Sequence, residues 1–283
     1  MSSPADLSRE LDIARQLAQK AAALVRRFSE QPVAVKYKDA GEPVTEADLA
    51  ANALIVSGLA QEFAGDAILS EELPDDGSRL GKERVWMVDP IDGTRDFIRG
   101  QPGYVVMIGL CVDGRPALGV VAHPTTGVVW SGVVGQGAWR DQADGTRIPV
   151  TTSALAEPPG VRIVVSKSRR SPQIDAFRLA LGVTDEMNVG SVGLKVALVC
   201  QGDRDLYLYG GEQTKLWDTC APEAILTAAG GRMSDMDGRP LVYTKTDLNN
   251  RDGVVASNGP LHDHVIRALA AARGKSPTTS RPP

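Results

Sequence analysis

The chain has 283 residues, 42% of them hydrophobic and 23% charged, which is enough for a sizeable core in one large domain or two sub-domains. Its net charge of −4 gives no basic footprint, which argues against nucleic acid or an anionic membrane as the main partner. The polar, acidic stretch 1–12 has no apolar signal region, and no run approaches the roughly 18 apolar residues of a spanning helix. Cys111, Cys200 and Cys220 lie in or beside apolar runs without Cys-x-x-Cys spacing, as expected of buried, reduced thiols in a cytoplasmic protein.

Leu7, Leu11, Ala14, Leu17, Ala18, Ala21, Leu24, Val25 and Phe28 recur at helical spacing and predict an amphipathic first helix. A loop with Lys36, Lys38, Gly41 and Pro43 follows, and Thr45 caps a second helix with Leu49, Ala53, Ile55, Val56 and Leu59 on its apolar face. Ala67–Ser70 reads as a short strand that delivers Glu71 and Glu72, and Val85–Val88 as a buried one. Runs at Tyr104–Val112, Pro116–Ala122 and Val128–Val134, punctuated by Asp113-Gly114 and Thr126-Gly127, predict an antiparallel meander. From Val161 the pattern alternates. It gives strands at Val161–Val165, Glu186–Val189 and Asp205–Tyr209, and helices at Pro172–Leu181, Val192–Cys200 and Asp218–Ala229, the last closing on Gly230-Gly231. A strand at Val254–Ala256 and a helix near Leu261–Ala272 end the ordered pattern, and a frayed tail is expected over 274–283.

Asp89-Pro90-Ile91-Asp92-Gly93-Thr94 follows the buried strand. Two carboxylates at the carboxyl end of such a strand face the place where ligands collect in α/β sheets. At about 4 Å they repel by roughly 4 kcal/mol at an effective dielectric of about 20. A hard cation such as Mg²⁺, bound by oxygens, is the usual compensation. Gly93 allows close approach of backbone to a ligand, and Thr94 adds a hydroxyl at a helix start, so the element describes a metal-assisted phosphate site. Each accompanying acid also has a plain structural reading. Asp48 fits a capping box with Thr45, Asp218 an N-cap for a helix with Pro222 in its first turn, and Glu71-Glu72 a solvated turn before Pro74.

Ser70-Glu71-Glu72, the Asp89–Thr94 element and Trp217-Asp218, with Thr45-x-x-Asp48 before them, resemble the Mg²⁺-dependent, lithium-sensitive inositol monophosphatase superfamily. Trp217-Asp218-Thr219-Cys220-Ala221-Pro222-Glu223 and Lys36-x-Lys38 are most similar to its 3'(2'),5'-bisphosphate nucleotidase branch. The resemblance runs from about Leu11 to Ala272. It implies a layered α/β fold, an alternating α/β/α/β/α sandwich, as a single phosphatase domain over 1–273. A metal-binding half would span about 1–155 and an α/β half 156–273. Glu71, Asp89 and the carbonyl of Ile91 would hold a first Mg²⁺, and Asp89, Asp92 and Asp218 a second, with a third ion conceivable near Glu71. Two ions about 3.5–4 Å apart clamp a phosphoryl group. Thr94, bonded to Asp48, would orient and deprotonate the attacking water, while Gly93, Thr94 and Asp218 would contact substrate.

The implied activity is hydrolysis of adenosine 3',5'-bisphosphate to AMP and phosphate by a monomer or homodimer, clearing a by-product of sulfate assimilation. Lys195, after the turn Gly190-Ser191-Val192-Gly193-Leu194, and Arg169 within Ser166–Arg170 are candidates for a second phosphate, with Ser191 beside them. Many members of the branch carry His where this chain has Arg169; Arg still binds phosphate. Inositol-1-phosphate or histidinol phosphate as substrate, and a non-catalytic regulatory binding protein, stay open as alternatives. His262-x-His264 reads as a surface pair and His123 as a packed turn residue.

Overall fold

The computed structural model describes residues 6–38, 41–166, 177–178, 182–183 and 185–274. The helix expected at 172–181 lies largely outside them, as do Arg169 and the tail. Two helices, α1 (Ser8–Ser29) and α2 (Glu46–Glu62), flank a small hairpin of β1 (Val35–Tyr37) and β2 (Pro43–Thr45). Then come β3 (Ala67–Ser70), β4 (Arg84–Asp92), the short α3 (Thr94–Ile98), β5 (Val105–Val112), β6 (Arg115–Ala122), β7 (Val129–Val133), β8 (Gly137–Asp141) and β9 (Arg147–Val150). These seven strands form one sheet in sequence order, with β3 parallel to β4 and every other pair antiparallel. The second half supplies β10 (Arg162–Ser166), β11 (Asp185–Val189), α4 (Val192–Cys200), β12 (Leu206–Tyr209), α5 (Leu216–Ala228), β13 (Gly231–Ser234), β14 (Val254–Asn258) and α6 (His262–Gly274). Its five-stranded sheet has the order β11-β10-β12-β14-β13 and is mixed.

The period of two along the strands sorts the core into layers. Trp86, Val88, Val106, Ile108 and Leu110 pack with Ala18, Val25, Ile55 and Leu59 from α1 and α2. Val85, Met87, Val105, Met107 and Cys111 face the other way, onto Val196, Cys220, Ala221 and Ile225 from α4 and α5. The same middle layer receives Val164, Tyr207, Tyr209, Val254 and Ala256 from the second sheet, whose far face packs Ile163, Leu206 and Val255 on Val265 and Leu269 of α6. The order is therefore helix, sheet, helix, sheet, helix, as expected.

One strip of this packing lacks side chains. Gly109 pairs with Gly119 and Gly119 with Gly132 across β5, β6 and β7. A Cβ on Gly119 would lie 2.1 Å from the Ala221 carbonyl oxygen, and one on Gly109 2.7 Å from the Ala221 nitrogen. Helix α5 thus rests on bare backbone.

Several expectations change. The loop after α1 contains the β1–β2 hairpin, and the meander continues into β8 and β9. Helix α5 starts at Leu216, so Asp218 is its third residue and not its N-cap, and Pro222 falls inside the helix, beyond its first turn. His262 is fully buried, its ring nitrogens 3.0 Å from Ser234 Oγ and 2.8 Å from Ser257 Oγ, so a surface role is excluded for it. The three cysteines are buried and free. Among the described residues no helix is long and apolar enough to cross a membrane.

Candidate active site

Strict alternation would send Asp89 and Asp92 to opposite faces of the sheet. A bulge prevents this: Asp89 pairs with Met107 and Asp92 with Val105, three residues of β4 against two of β5. Pro90, which has no N–H to lose, lies in the bulge. Both carboxylates are thereby turned to the face that meets α4 and α5. The chain then turns through Gly93 at φ 101°, where a Cβ would lie 2.7 Å from the Gly103 carbonyl oxygen. Only glycine fits that left-handed, crowded position.

The other acids arrive from separate elements. Glu71 follows β3, its amide donating to the Val88 carbonyl at 3.1 Å. Asp48 is buried in the first turn of α2, where its Oδ2 accepts the Thr45 amide at 2.8 Å and the Thr45 hydroxyl at 2.5 Å. The capping box is real and leaves Asp48 Oδ1 turned to Thr94, whose hydroxyl lies 3.5 Å away. That hydroxyl has one proton and a nearer acceptor, the Ile91 carbonyl at 3.1 Å. Asp218 Oδ2 accepts the Lys215 amide at 2.7 Å.

Glu71, Asp89, Ile91, Asp92, Gly93, Thr94 and Asp218 line one cleft of about 220 Å³. Burial pushes Asp89 well above the usual carboxylate range, and Glu71, Asp92 and Asp218 push it further. Burial also raises Asp218, with Asp92 and Glu71 adding to the effect against the lowering bond from Lys215. Glu71 is raised by burial although Lys38 pulls it down, and Asp48 is raised to about 6, mainly by burial. Among the described residues no three acidic, histidine or cysteine groups form a ready-made metal cluster. Three of the acids have protein partners: Glu71 is held by Lys38 at 3.1 Å, Asp92 Oδ2 by the Gly193 amide at 2.8 Å and Asp218 by the Lys215 amide. Asp89 Oδ1 is left buried with no donor at all. An orphaned carboxylate oxygen, desolvated among mutually repelling acids, fits an oxygen-loving divalent cation.

The same cleft is also lined by a cation. Lys195 is 1% exposed; its Nζ donates to the carbonyls of Gly190 (2.7 Å) and Val189 (3.4 Å) and lies 5.1 Å from the Tyr207 ring centroid. Lys195 lines the cleft, as do Gly190 and Val192, but Ser191 does not. The Ser191 hydroxyl instead caps α4 by accepting the Leu194 amide at 2.9 Å. The glycine-rich turn spends its Gly193 amide on Asp92, so that amide is not left for a phosphate. Arg169 lies outside the described residues. The sequence reading missed Arg95, Arg99, Tyr207, Tyr209 and Lys215, which also line the cleft. Tyr207 and Tyr209 carry a signal that could have found them, since residues two apart on a strand share a face. The pairing of Lys38 with Glu71 and Glu72 (2.7 Å) joins residues more than thirty positions apart, and nothing local marks it.

Comparison with known proteins agrees with this geometry. The family model of the inositol monophosphatase family matches residues 6–273. The chain is 36% identical over 237 residues to the 3'(2'),5'-bisphosphate nucleotidase CysQ of Escherichia coli, covering 83% of this chain and 94% of that protein. It is 33% identical over 267 residues to a histidinol-phosphatase of Mycobacterium tuberculosis, covering 93% and 98%. An inositol monophosphatase from Anabaena superposes with a TM-score of 0.76 at 26% identity, over 94% of this chain and 96% of that one.

Proposed function

The chain belongs to the inositol monophosphatase family and is a phosphoric monoester hydrolase, and from that premise we propose that its substrate is a 3'(2'),5'-bisphosphorylated nucleotide such as adenosine 3',5'-bisphosphate. What carries the reading is that one cleft is lined both by the acid cluster around Asp89 and by cationic side chains, the buried Lys195 among them. A monophosphate needs only the acids; a second phosphate adds negative charge that the cationic side chains of the same lining can meet. The likeness to CysQ supports the same choice.

Members of this family are metal-dependent phosphatases, generally with Mg²⁺. Glu71, Asp89, the Ile91 carbonyl, Asp92 and Asp218 would hold the ions, two or three in number. Bound Mg²⁺ would neutralise the acids, polarise the phosphoryl group and acidify a water. Thr94 and Asp48 supply the orientation. If the Ile91 carbonyl held a cation, the Thr94 hydroxyl would donate to Asp48 in its place, and its lone pairs would accept from the attacking water. Asp48, at about 6, is ionised at neutral pH and able to take up the proton. Gly93 and Thr94 lie against the transferring phosphate, and no side chain forms a covalent intermediate.

The relation to a histidinol-phosphatase over almost the whole chain favours one competing reading, a substrate with a cationic imidazole-bearing alcohol. A panel of adenosine 3',5'-bisphosphate, inositol-1-phosphate and histidinol phosphate, assayed for phosphate release with Mg²⁺ and with added lithium, separates the two. The nucleotidase reading expects the bisphosphate to have the highest kcat/KM and lithium to inhibit. A higher kcat/KM for histidinol phosphate would replace it.

A further inference from the structure

The first turn of α5, which carries Asp218, is weakened from within. Proline has no N–H, so Pro222 cannot make the helical bond to the carbonyl four residues back, which is that of Asp218 itself. The N-cap is Lys215, whose side chain has no acceptor for the free amides of the turn. The turn also carries a buried carboxylate that lies within repulsive range of Asp92 and Glu71.

A second segment holds this turn from outside. The Leu216 amide donates to the Leu248 carbonyl at 3.0 Å, and the Asn250 amide to the Thr214 carbonyl at 2.7 Å. The Asn250 side-chain amide donates to the Lys215 carbonyl at 3.1 Å and to Thr219 Oγ1 at 3.2 Å. Thr219 Oγ1 also lies 3.1 Å from the Tyr243 hydroxyl, which donates to Glu223 Oε2 at 2.6 Å. Tyr243, Asn250 and Thr219 are 2%, 3% and 0% exposed, and none of the three lines the cleft. Asn250 Oδ1 has no partner, but its side-chain amide donates to both Lys215 and Thr219, and those two bonds fix how the two segments meet.

We propose that Tyr243 and Asn250 are positioning residues that act through Thr219 and the Lys215 carbonyl to hold the Asp218 carboxylate where a divalent cation needs it, replacing the support that Pro222 removes. This rests on Asp218 being a magnesium ligand.

The test is calorimetric titration of the metal-free protein with MgCl₂, together with the Mg²⁺ concentration for half-maximal phosphate release. Tyr243→Phe keeps the ring and removes one hydroxyl; Asn250→Ala removes the brace. Each should weaken magnesium about three- to tenfold, the scale of one lost hydrogen bond. Turnover should recover as Mg²⁺ is raised. Ser153→Ala, which breaks a part-buried bond to Asp205 beside the second sheet, controls for lost stability and should leave magnesium binding unchanged. Unchanged magnesium affinity in Tyr243→Phe overturns the proposal, as does an equal loss in Ser153→Ala. Asp218→Asn separates the failures: if it leaves magnesium binding intact, the metal assignment itself is wrong, whereas its loss beside an unaffected Tyr243→Phe defeats the positioning role alone.

Discussion

Asp89 holds its charge at a cost that a neutral neighbour would reduce. Asp92→Asn removes one of the charges that act on it while the amide oxygen can still accept from the Gly193 amide. Turnover should fall at least about a hundredfold, the scale of losing a transition-state charge stabiliser, and the metal-free protein should unfold no earlier than the parent. Activity within tenfold of the parent at saturating Mg²⁺ would refute the ligand assignment. Lys195→Ala should lower kcat/KM for adenosine 3',5'-bisphosphate by about ten- to a hundred-and-fifty-fold and spare a monophosphate, since a charge-assisted bond contributes about 1.5–3 kcal/mol. Equal loss on both would detach Lys195 from the second phosphate. The acids around Asp89 were legible because charge beside a buried strand is costly and demands a reason. Ser191 shows how little a hydroxyl at a helix start says by itself, since it serves a cap as readily as a ligand, and its bond to the Leu194 amide is visible only in the fold. The bulge that brings Asp89 and Asp92 to one face was not legible at all, since it depends on the partner strand.

Helix α5 joins the acid cluster to a buried titrating pair. Glu223, at the Tyr243 end of the network, is raised by burial to about 7 from its ordinary 4.5, although Tyr243 and Arg115 pull it down. The folded state therefore binds this proton more tightly than the unfolded state. The resulting stability is present below about 4.5 and lost as pH rises through about 7. Glu223→Gln lacks this dependence. In denaturant unfolding of the metal-free protein, the variant should gain on the parent between pH 4.5 and pH 8 by an amount on the order of 3 kcal/mol. A constant difference across that range would exclude a buried, raised carboxyl. A long periodic element such as α1 was readable from sequence because one face repeats over several turns. Strands β8 and β9 were not, being short, partly exposed and, at Pro149, interrupted by a residue that suits an edge. The start of α5 was misplaced because Lys215 is not a residue that marks an N-cap.

The cleft is assembled from the whole molecule: Asp89 and Asp92 come from the first sheet, Asp218 from the middle layer and Lys195 from the helix beside it. A cation binding there ties layers together and has no counterpart in the unfolded chain. At a hundred times its dissociation constant it should add about 2.7 kcal/mol, and Tm should rise by about 4–5 °C for a chain of this size. No rise with Mg²⁺ would contradict a site shared between layers. The glycine strip beneath α5 also bears on what this protein tolerates. Elsewhere a helix rides on side chains, and a changed volume can be absorbed by repacking. Here peptide touches peptide, so the height of Asp218 above the strand that carries Asp89 is set by backbone thickness and has no adjustable spacer. Core substitutions in the outer layers should leave the reaction intact, while a single methyl, Gly119→Ala, should cost about 1–3 kcal/mol in stability and weaken magnesium as well. The site is thus robust to most of its core and brittle along one line of three residues.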